Sequence, residues 1–333
     1  GLSNSHPIEQ EVKNPAEIGQ LFDAISYSKG GSTLRMLEAY IGAKDFQTGI
    51  TEYLNTHAYN NAETSDLWDA LGKSSGKPVA QVMNSWVKQT GFPVLSVEKS
   101  DTEITPSQKR FLYENINYKD DFNDQSKWYI PINIQTSDKG DIISELMDTN
   151  IKSIPLDSSN NSWIKINPDQ TGFYRVKYDS KSIEQFHNLI SSKTLPPRDR
   201  LGLQGDAYAI ARAGYDSPVT FLSLATSYIE EDDAAVLSDL ASGLRGIEHL
   251  IDNSNFHDTY QDFCVSIFKN IGNKIGWNKK SNETHLDTLL RNIALSNLGH
   301  YENPETIKEA LKRFENYKKD TTNVHPDIRS IVF

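Results

Sequence analysis

The sequence predicts a multidomain α+β protein with a helical segment over residues 1–91, a small antiparallel β-sandwich over 92–179, and a helical, solenoid-like array over 180–333. Three observations carry the prediction. Apolar residues recur every three or four positions up to Trp86 and again beyond Asp179, whereas between these limits they alternate with a period of two. Clusters of Gly, Asn, Asp and Ser punctuate the alternating stretch with no helical run between them, the pattern of short strands folded back on one another. The 333 residues are enough for two or three domains of about 100–200 residues each.

Helices in the first segment are marked by their ends. Asn14-Pro15-Ala16-Glu17 supplies a capping side chain, a proline at the first helical position and an acid that suits the helix dipole, and Ile18, Leu21, Phe22 and Ile25 follow at helical spacing. A second helix carries Leu34, Leu37 and Ile41, and a third Phe46, Ile50, Tyr53 and Leu54. A fourth begins near Ser65 with Leu67, Trp68 and Leu71, and a fifth opens at Pro78, runs through Val79, Val82, Met83 and Trp86, and closes at Gly91 and Pro93.

Strands are expected at 94–97, 110–113, 128–134, 151–154, 163–166 and 173–178. The turns between them include Ser137-Asp138-Lys139-Gly140 and Asp157-Ser158-Ser159-Asn160-Asn161. Pro131 cannot donate to a ladder, which places its strand at an edge. Past Asp179, Pro196-Pro197, Pro218 and Asn303-Pro304 open helices and Gly214 closes one. Apolar stripes run along 237–251, 286–293 and 307–314, as in a stack of helical hairpins.

Composition excludes several functions. With 34 Lys and Arg against 45 Asp and Glu the net charge is −11, and no basic run offers a match for a phosphate backbone, so no nucleic acid is expected as partner. No apolar run approaches the roughly 20 residues of a membrane span, nor a secretory leader, so no membrane partner is expected and the protein reads as cytoplasmic. One cysteine, Cys264, lies on an apolar stripe and reads as core. The eight histidines include no pair three or four apart, so no zinc-binding helix is present and no metal is expected in this chain. Gly30-Gly31 follows no strand and reads as a helix junction, the acids Glu230-Glu231-Asp232-Asp233 read as a solvated loop with dipole charges, and the five tryptophans all fall on apolar stripes. The chain starts with Gly1 and enters strong patterning at once, which suggests a piece cut from a longer protein with exposed apolar stripes on 8–91 prone to self-association.

The segment Phe22-Asp23-Ala24-Ile25-Ser26-Tyr27-Ser28-Lys29-Gly30, with Ser5-His6-Pro7-Ile8 before it and Thr33-Leu34-Arg35-Met36-Leu37 after it, resembles the aminopeptidase N family of zinc metallopeptidases, the gluzincin aminopeptidases. The resemblance continues, in family order, through Asn61–Trp68, Trp86–Val94, Gly172–Tyr178, Arg200–Asp206 and Leu286–Arg291. In overall look the chain is most similar to the puromycin-sensitive and tricorn-interacting aminopeptidases. The resemblance implies that 1–91 is the helical end of a thermolysin-like catalytic domain, 92–179 the sandwich domain and 180–333 the first part of the C-terminal helical domain. It also implies that the parent protein removes N-terminal residues from peptides with a bound zinc. The zinc helix, its completing glutamate, the general base and the Gly-Ala-Met-Glu-Asn segment that holds the substrate amine would all precede Gly1, leaving the fragment without zinc or activity on its own. One catalytic position is implied here: Tyr27, whose phenol would donate to the carbonyl oxygen as it becomes an oxyanion. No substrate-binding residue is assigned. The alternative function is a non-catalytic interaction or scaffold module.

Overall fold

The computed structural model describes residues 5–12, 14–15, 19, 22–113, 124–137, 142–156, 162–251 and 254–333. The chain forms two compact units, one of residues 1–183 with 212–215, the other of 184–211 with 216–333. It is an α+β protein, mostly helical, with two small sheets. No helix among the described residues is long and apolar enough to cross a membrane.

The first unit opens with a single π-helical turn, Ile25–Lys29, continuous with α1 (Gly30–Ile41), followed by α2 (Ala43–Thr56), α3 (Thr64–Ser75) and α4 (Val79–Val87). Of the first expected helix, Ile18 and Leu21 lie outside the described residues, Phe22 is exposed, and Ile25 starts the π-helical turn instead of closing a helical stripe. Gly30 and Gly31 open α1 directly after the π-helical turn, at the junction that the sequence suggested. α3 begins at Thr64 under a capping box in which Glu63 and Asp66 exchange side-chain and backbone bonds, and it ends at Gly76, whose φ of 66° suits a residue without a Cβ. Where α2 crosses α3, a Cβ on Gly49 would stand 2.8 Å from a methyl of Leu71, so only glycine permits that approach.

Two sheets follow. β1 (Pro93–Lys99), β2 (Glu103–Arg110), β5 (Ile154–Pro155) and β7 (Arg175–Tyr178) form one in the order β5-β2-β1-β7, while β3 (Ile130–Thr136), β4 (Ile142–Met147) and β6 (Ile164–Ile166) form the other in the order β4-β3-β6. The expected all-antiparallel arrangement is corrected at one ladder, because β1 and β7 pair in parallel. Alternation in sequence fixes which face of a strand is apolar and carries no information about direction, and β1 and β7 are too far apart in the chain to be joined by a hairpin. The two sheets are linked by the Tyr178 hydroxyl, which accepts the Ile166 amide at 2.9 Å.

Pro131 sits in the central strand of its sheet, not at an edge. The contradiction is local: β6 pairs only with Ile134–Thr136 and the Asn167 amide reaches Asn133, so at Pro131 one flank of β3 carries no ladder and the missing N–H costs nothing there. Residues 111–113 are not a strand. The ladder ends at Arg110, and Phe111 instead stacks between Phe92 and Tyr215. Of the expected turns, Asp138–Gly140 and Asp157–Asn161 lie outside the described residues.

Helices α5 (Ser180–Ser191), α6 (Pro197–Arg212), α7 (Pro218–Ala225), α8 (Ala234–Ile251), α9 (His257–Ile275), α10 (His285–His300), α11 (Pro304–Lys319) and the short α12 (Arg329–Val332) complete the chain. Prolines open α6, α7 and α11, with Ser217 and Asn303 accepting the Val219 and Thr306 amides, and Gly214 takes a φ of 75°. Leu237, Leu240, Leu244 and Ile247 of α8 are buried. Cys264 is buried beside Tyr260 and Tyr301, and that burial pushes its thiol up to about 12, which makes it a core residue. The outer stripes differ from expectation: Leu286 and Leu289 of α10 and Leu311 of α11 stay open to solvent, although Leu290 is buried.

The acidic run 230–233 is not simply a solvated loop. Glu231 is buried, and its two oxygens take Nε and Nη2 of the buried Arg200 at 2.6 and 2.7 Å while Oε1 also accepts the amides of Asp232 and Asp233. Arg200 donates further to the Leu195 carbonyl, so the pair is fully satisfied. Asp233 does behave as expected, capping α8 through the Ala235 and Val236 amides.

Glu231→Ala should therefore cost about 3–5 kcal/mol in chemical denaturation, because it strands a buried guanidinium, whereas Arg200→Met combined with Glu231→Leu should recover much of the loss. A cost under about 1 kcal/mol for the single change would make the pair no stronger than an exposed one.

Candidate active site

Tyr27 lies in the π-helical turn Ile25–Lys29. A π-turn inserts one residue into the helical ladder and so turns a side chain out of the regular helical face, which is why such turns recur at functional sites. The ring is 67% exposed, the opposite of a tyrosine packed at a helix junction, and its one aromatic neighbour is Phe22 at 6.3 Å between centroids. Among the described residues no group bonds to its hydroxyl, which is left free to donate outward.

The turn is held on two sides. On the leading side, Asp23 accepts the Ser26 amide on Oδ1 at 2.8 Å, and its carbonyl accepts the Tyr27 amide at 3.1 Å. The other carboxylate oxygen meets Nε2 of His6 at 2.6 Å, and Nδ1 of His6 lies 2.6 Å from the Pro7 carbonyl. Nε2 thus faces the Asp23 carboxylate, while Nδ1 lies between the Pro7 carbonyl and the Gln10 side-chain nitrogen, also at 2.6 Å; the Pro7 carbonyl first, then Asp23, raises the His6 pKa. The Ser26 amide, then His6, lowers that of Asp23.

On the trailing side, Lys29 is buried and donates from Nζ to the Gln89 carbonyl at 2.7 Å. Burial first, and the charge of Arg110 second, bring its pKa down to about 8. Gln89 is itself fixed, its side-chain amide donating to the carbonyls of Ser85 and Lys127 at 2.7 and 2.8 Å. Further along α1, Arg35 donates to the carbonyls of Asp169 and Gln170 at 2.9 and 3.1 Å, two residues with left-handed backbone in the turn between β6 and β7. Thus the helix carrying the turn is tied at its start to the segment after α4 and at its middle to the turn between β6 and β7.

His6, Asp23, Lys29 and Gln89 all stand inside the motif segments quoted above, yet sequence reasoning gave none of them a role. The signal was their presence in the motifs. Their meeting was not readable, since the contacts join positions 17 and 60 residues apart. No group of three or more His, Cys, Asp or Glu side chains suited to a metal ion occurs among the described residues. Glu248 meets His300 at 2.7 Å and His257 at 3.8 Å, one carboxylate beside two imidazoles in the second unit. The described residues therefore do not fit the zinc that the family resemblance implies.

Comparison with known proteins accounts for nearly the whole chain. The model of the ERAP1-like C-terminal domain matches residues 163–333, and that of the peptidase family M1 domain matches 1–86. The chain belongs to the M1 aminopeptidase family. Aminopeptidase M1 of Arabidopsis thaliana is 37% identical over all of this chain and 39% of its own length. The alanine/arginine aminopeptidase of Saccharomyces cerevisiae is 33% identical over all of the chain and 38% of its own length. Tricorn protease-interacting factor F2 of Thermoplasma acidophilum is 40% identical over 76% of the chain and 30% of its length. The M1 chain spans about two fifths of the length of the relatives that match all of it.

The His6–Asp23 pair sets a pH dependence. His6, with its pKa raised above 6.5, stabilises the fold fully below that value and loses its contribution as pH rises through the folded value. Asp23, with its pKa lowered below 3.8, contributes above that value and loses it as pH falls through the folded one. Both act together between the two, so the melting-temperature gap between the wild type and His6→Gln should be widest near about pH 5 and shrink by about pH 9. A gap that widens with pH would contradict the pairing.

Proposed function

We propose that this chain is part of an aminopeptidase that removes N-terminal residues from peptides, and that it supplies Tyr27 as the donor to the scissile carbonyl. The observation that carries the reading is the exposed, unbonded phenol on a turn anchored from both sides, in a chain of the M1 family. Attack on a peptide carbonyl turns its oxygen into an anion. A phenol O–H standing outward can shorten its hydrogen bond to that oxygen as charge grows, so its interaction is stronger in the transition state than in the ground state.

Because the described residues hold no ligand set for zinc, the proposal assigns the metal ligands and the general base to parts of the protein outside this chain, and no step is routed through the metal here. On this reading the isolated chain is inactive, peptides are partners only of the longer protein, and the compartment is the cytoplasm. Metal analysis of the purified chain should find less than about 0.1 zinc per chain. A stoichiometric zinc lost on changing a histidine of this chain would overturn the assignment.

Tyr27→Phe in the full-length protein keeps the ring and removes the donor. It should lower kcat by about 10²–10³, or roughly 2.7–4 kcal/mol, with KM little changed and the thermal midpoint unmoved. Steady-state kinetics on an aminoacyl anilide, beside a thermal melt, make the measurement. An unchanged kcat would remove Tyr27 from the chemistry and leave the interaction-module reading in its place.

A further inference from the structure

The exposure of Tyr27 poses a physical problem. A ring with one aromatic neighbour and no hydrogen bond of its own has little to hold it in one place, whereas donation to a carbonyl oxygen demands placement to within a fraction of an ångström. Whatever fixes the ring must act through the backbone that carries it. The turn's leading side is controlled by one residue. Asp23 takes the amide of Ser26 with its carboxylate and the amide of Tyr27 with its carbonyl, so two successive N–H groups at the reactive position end on the same residue. Its remaining carboxylate oxygen is fixed by His6, whose other nitrogen is fixed in turn by the Pro7 carbonyl. The chain Pro7–His6–Asp23–Ser26/Tyr27 is continuous, and every link lies between 2.6 and 3.1 Å.

We infer that Asp23, oriented by His6, is a positioning residue that fixes the Tyr27 turn for donation to the substrate carbonyl. The inference rests on the proposed role of Tyr27. A helix cap alone would explain the Ser26 bond, but it needs no histidine. An exposed cap is satisfied by its own carboxylate, whereas this one has its second oxygen held by a side chain from 17 residues away. Lys29 and Gln89 hold the far end of the same turn, so loss of Asp23 frees one end of the turn while the other stays anchored. The expected defect is therefore misplacement of Tyr27 with the fold intact.

The test compares Asp23→Ala, Asp23→Asn, His6→Gln, Tyr27→Phe and the double variant Asp23→Ala with Tyr27→Phe in the full-length protein, with amide hydrogen exchange on this chain as a readout independent of activity. Asp23→Ala should lower kcat by about 10–100-fold with KM within about twofold. Asp23→Asn, which keeps an oxygen for the Ser26 amide, should restore most of that loss. The double variant should be no slower than Tyr27→Phe alone, because a residue that acts only through the hydroxyl has nothing left to position. In hydrogen exchange, Asp23→Ala should speed the Ser26 amide, which loses its side-chain acceptor, by about tenfold or more while the Tyr27 amide keeps its backbone acceptor and the amides of α4 keep their rates. Should Asp23→Ala fail to fold, His6→Gln takes its place, with a smaller loss of kcat that also vanishes in the Tyr27→Phe background. The inference is overturned if Asp23→Ala lowers only the melting temperature, or if its effect on kcat multiplies with that of Tyr27→Phe. Failure of the parent reading shows separately, as an unchanged kcat in Tyr27→Phe alone.

Discussion

The first unit depends on the Trp86 indole at the end of α4. It is wholly buried, packs on Trp128 and Phe173, and donates from Nε1 to the Tyr129 carbonyl at 2.9 Å. One side chain thereby fixes the helices to the start of β3 through apolar burial and one directional bond, and a bond from a buried donor is strong mainly because its loss leaves the donor unsatisfied. Ser85, one residue earlier, accepts the Tyr129 amide at 3.0 Å, and the side chain of Gln89, three residues later, reaches the Lys127 carbonyl. The end of α4 thus replaces the ladder that β3 lacks before Ile130, and the same few residues supply the carbonyl on which Lys29 rests. The geometry behind Tyr27 follows from that junction.

A buried lysine at such a place has an evident cost and a specific return. Taking an ammonium out of water disfavours its charge, which is why the Lys29 pKa falls to about 8. At neutral pH the group is still mostly protonated, and its bond to the Gln89 carbonyl offsets part of the desolvation. A methionine of similar length would avoid the cost and lose the directional bond. Such directionality matters for a turn whose outward residue must be aimed, and it matters little for a core that only has to be filled.

Helix ends were the most readable part of the sequence, because their signals are local. Pro197, Pro218 and Pro304 each act within one turn of themselves, and the Glu63/Asp66 and Thr284/Asp287 capping boxes and Gly76, equally local, went unread. Strands were harder. β2 carries only Ile104 as a fully apolar residue and contains Pro106, so it offered no alternation to find, and the direction of β7 against β1 is set by the course of the chain and not by pattern. Glu231 was misjudged because its partner Arg200 lies 31 positions away, and no window of local sequence distinguishes an acid that will be buried on an arginine from its three neighbours.

The candidate site divides along the same line. Tyr27 was singled out only through the resemblance of its segment to a family, since a tyrosine between serines at a helix start has no compositional mark. Its support was invisible, since the role of each supporting residue exists only after folding has brought residues 6, 23, 29 and 89 around one turn. The π-helical turn sharpens the point. An inserted residue weakens the regular ladder, so the turn persists only where outside bonds compensate. Here these come from Asp23 at one end and Lys29 at the other. Residues that appear as ordinary polar positions in the sequence therefore hold the two ends of the turn from which Tyr27 projects.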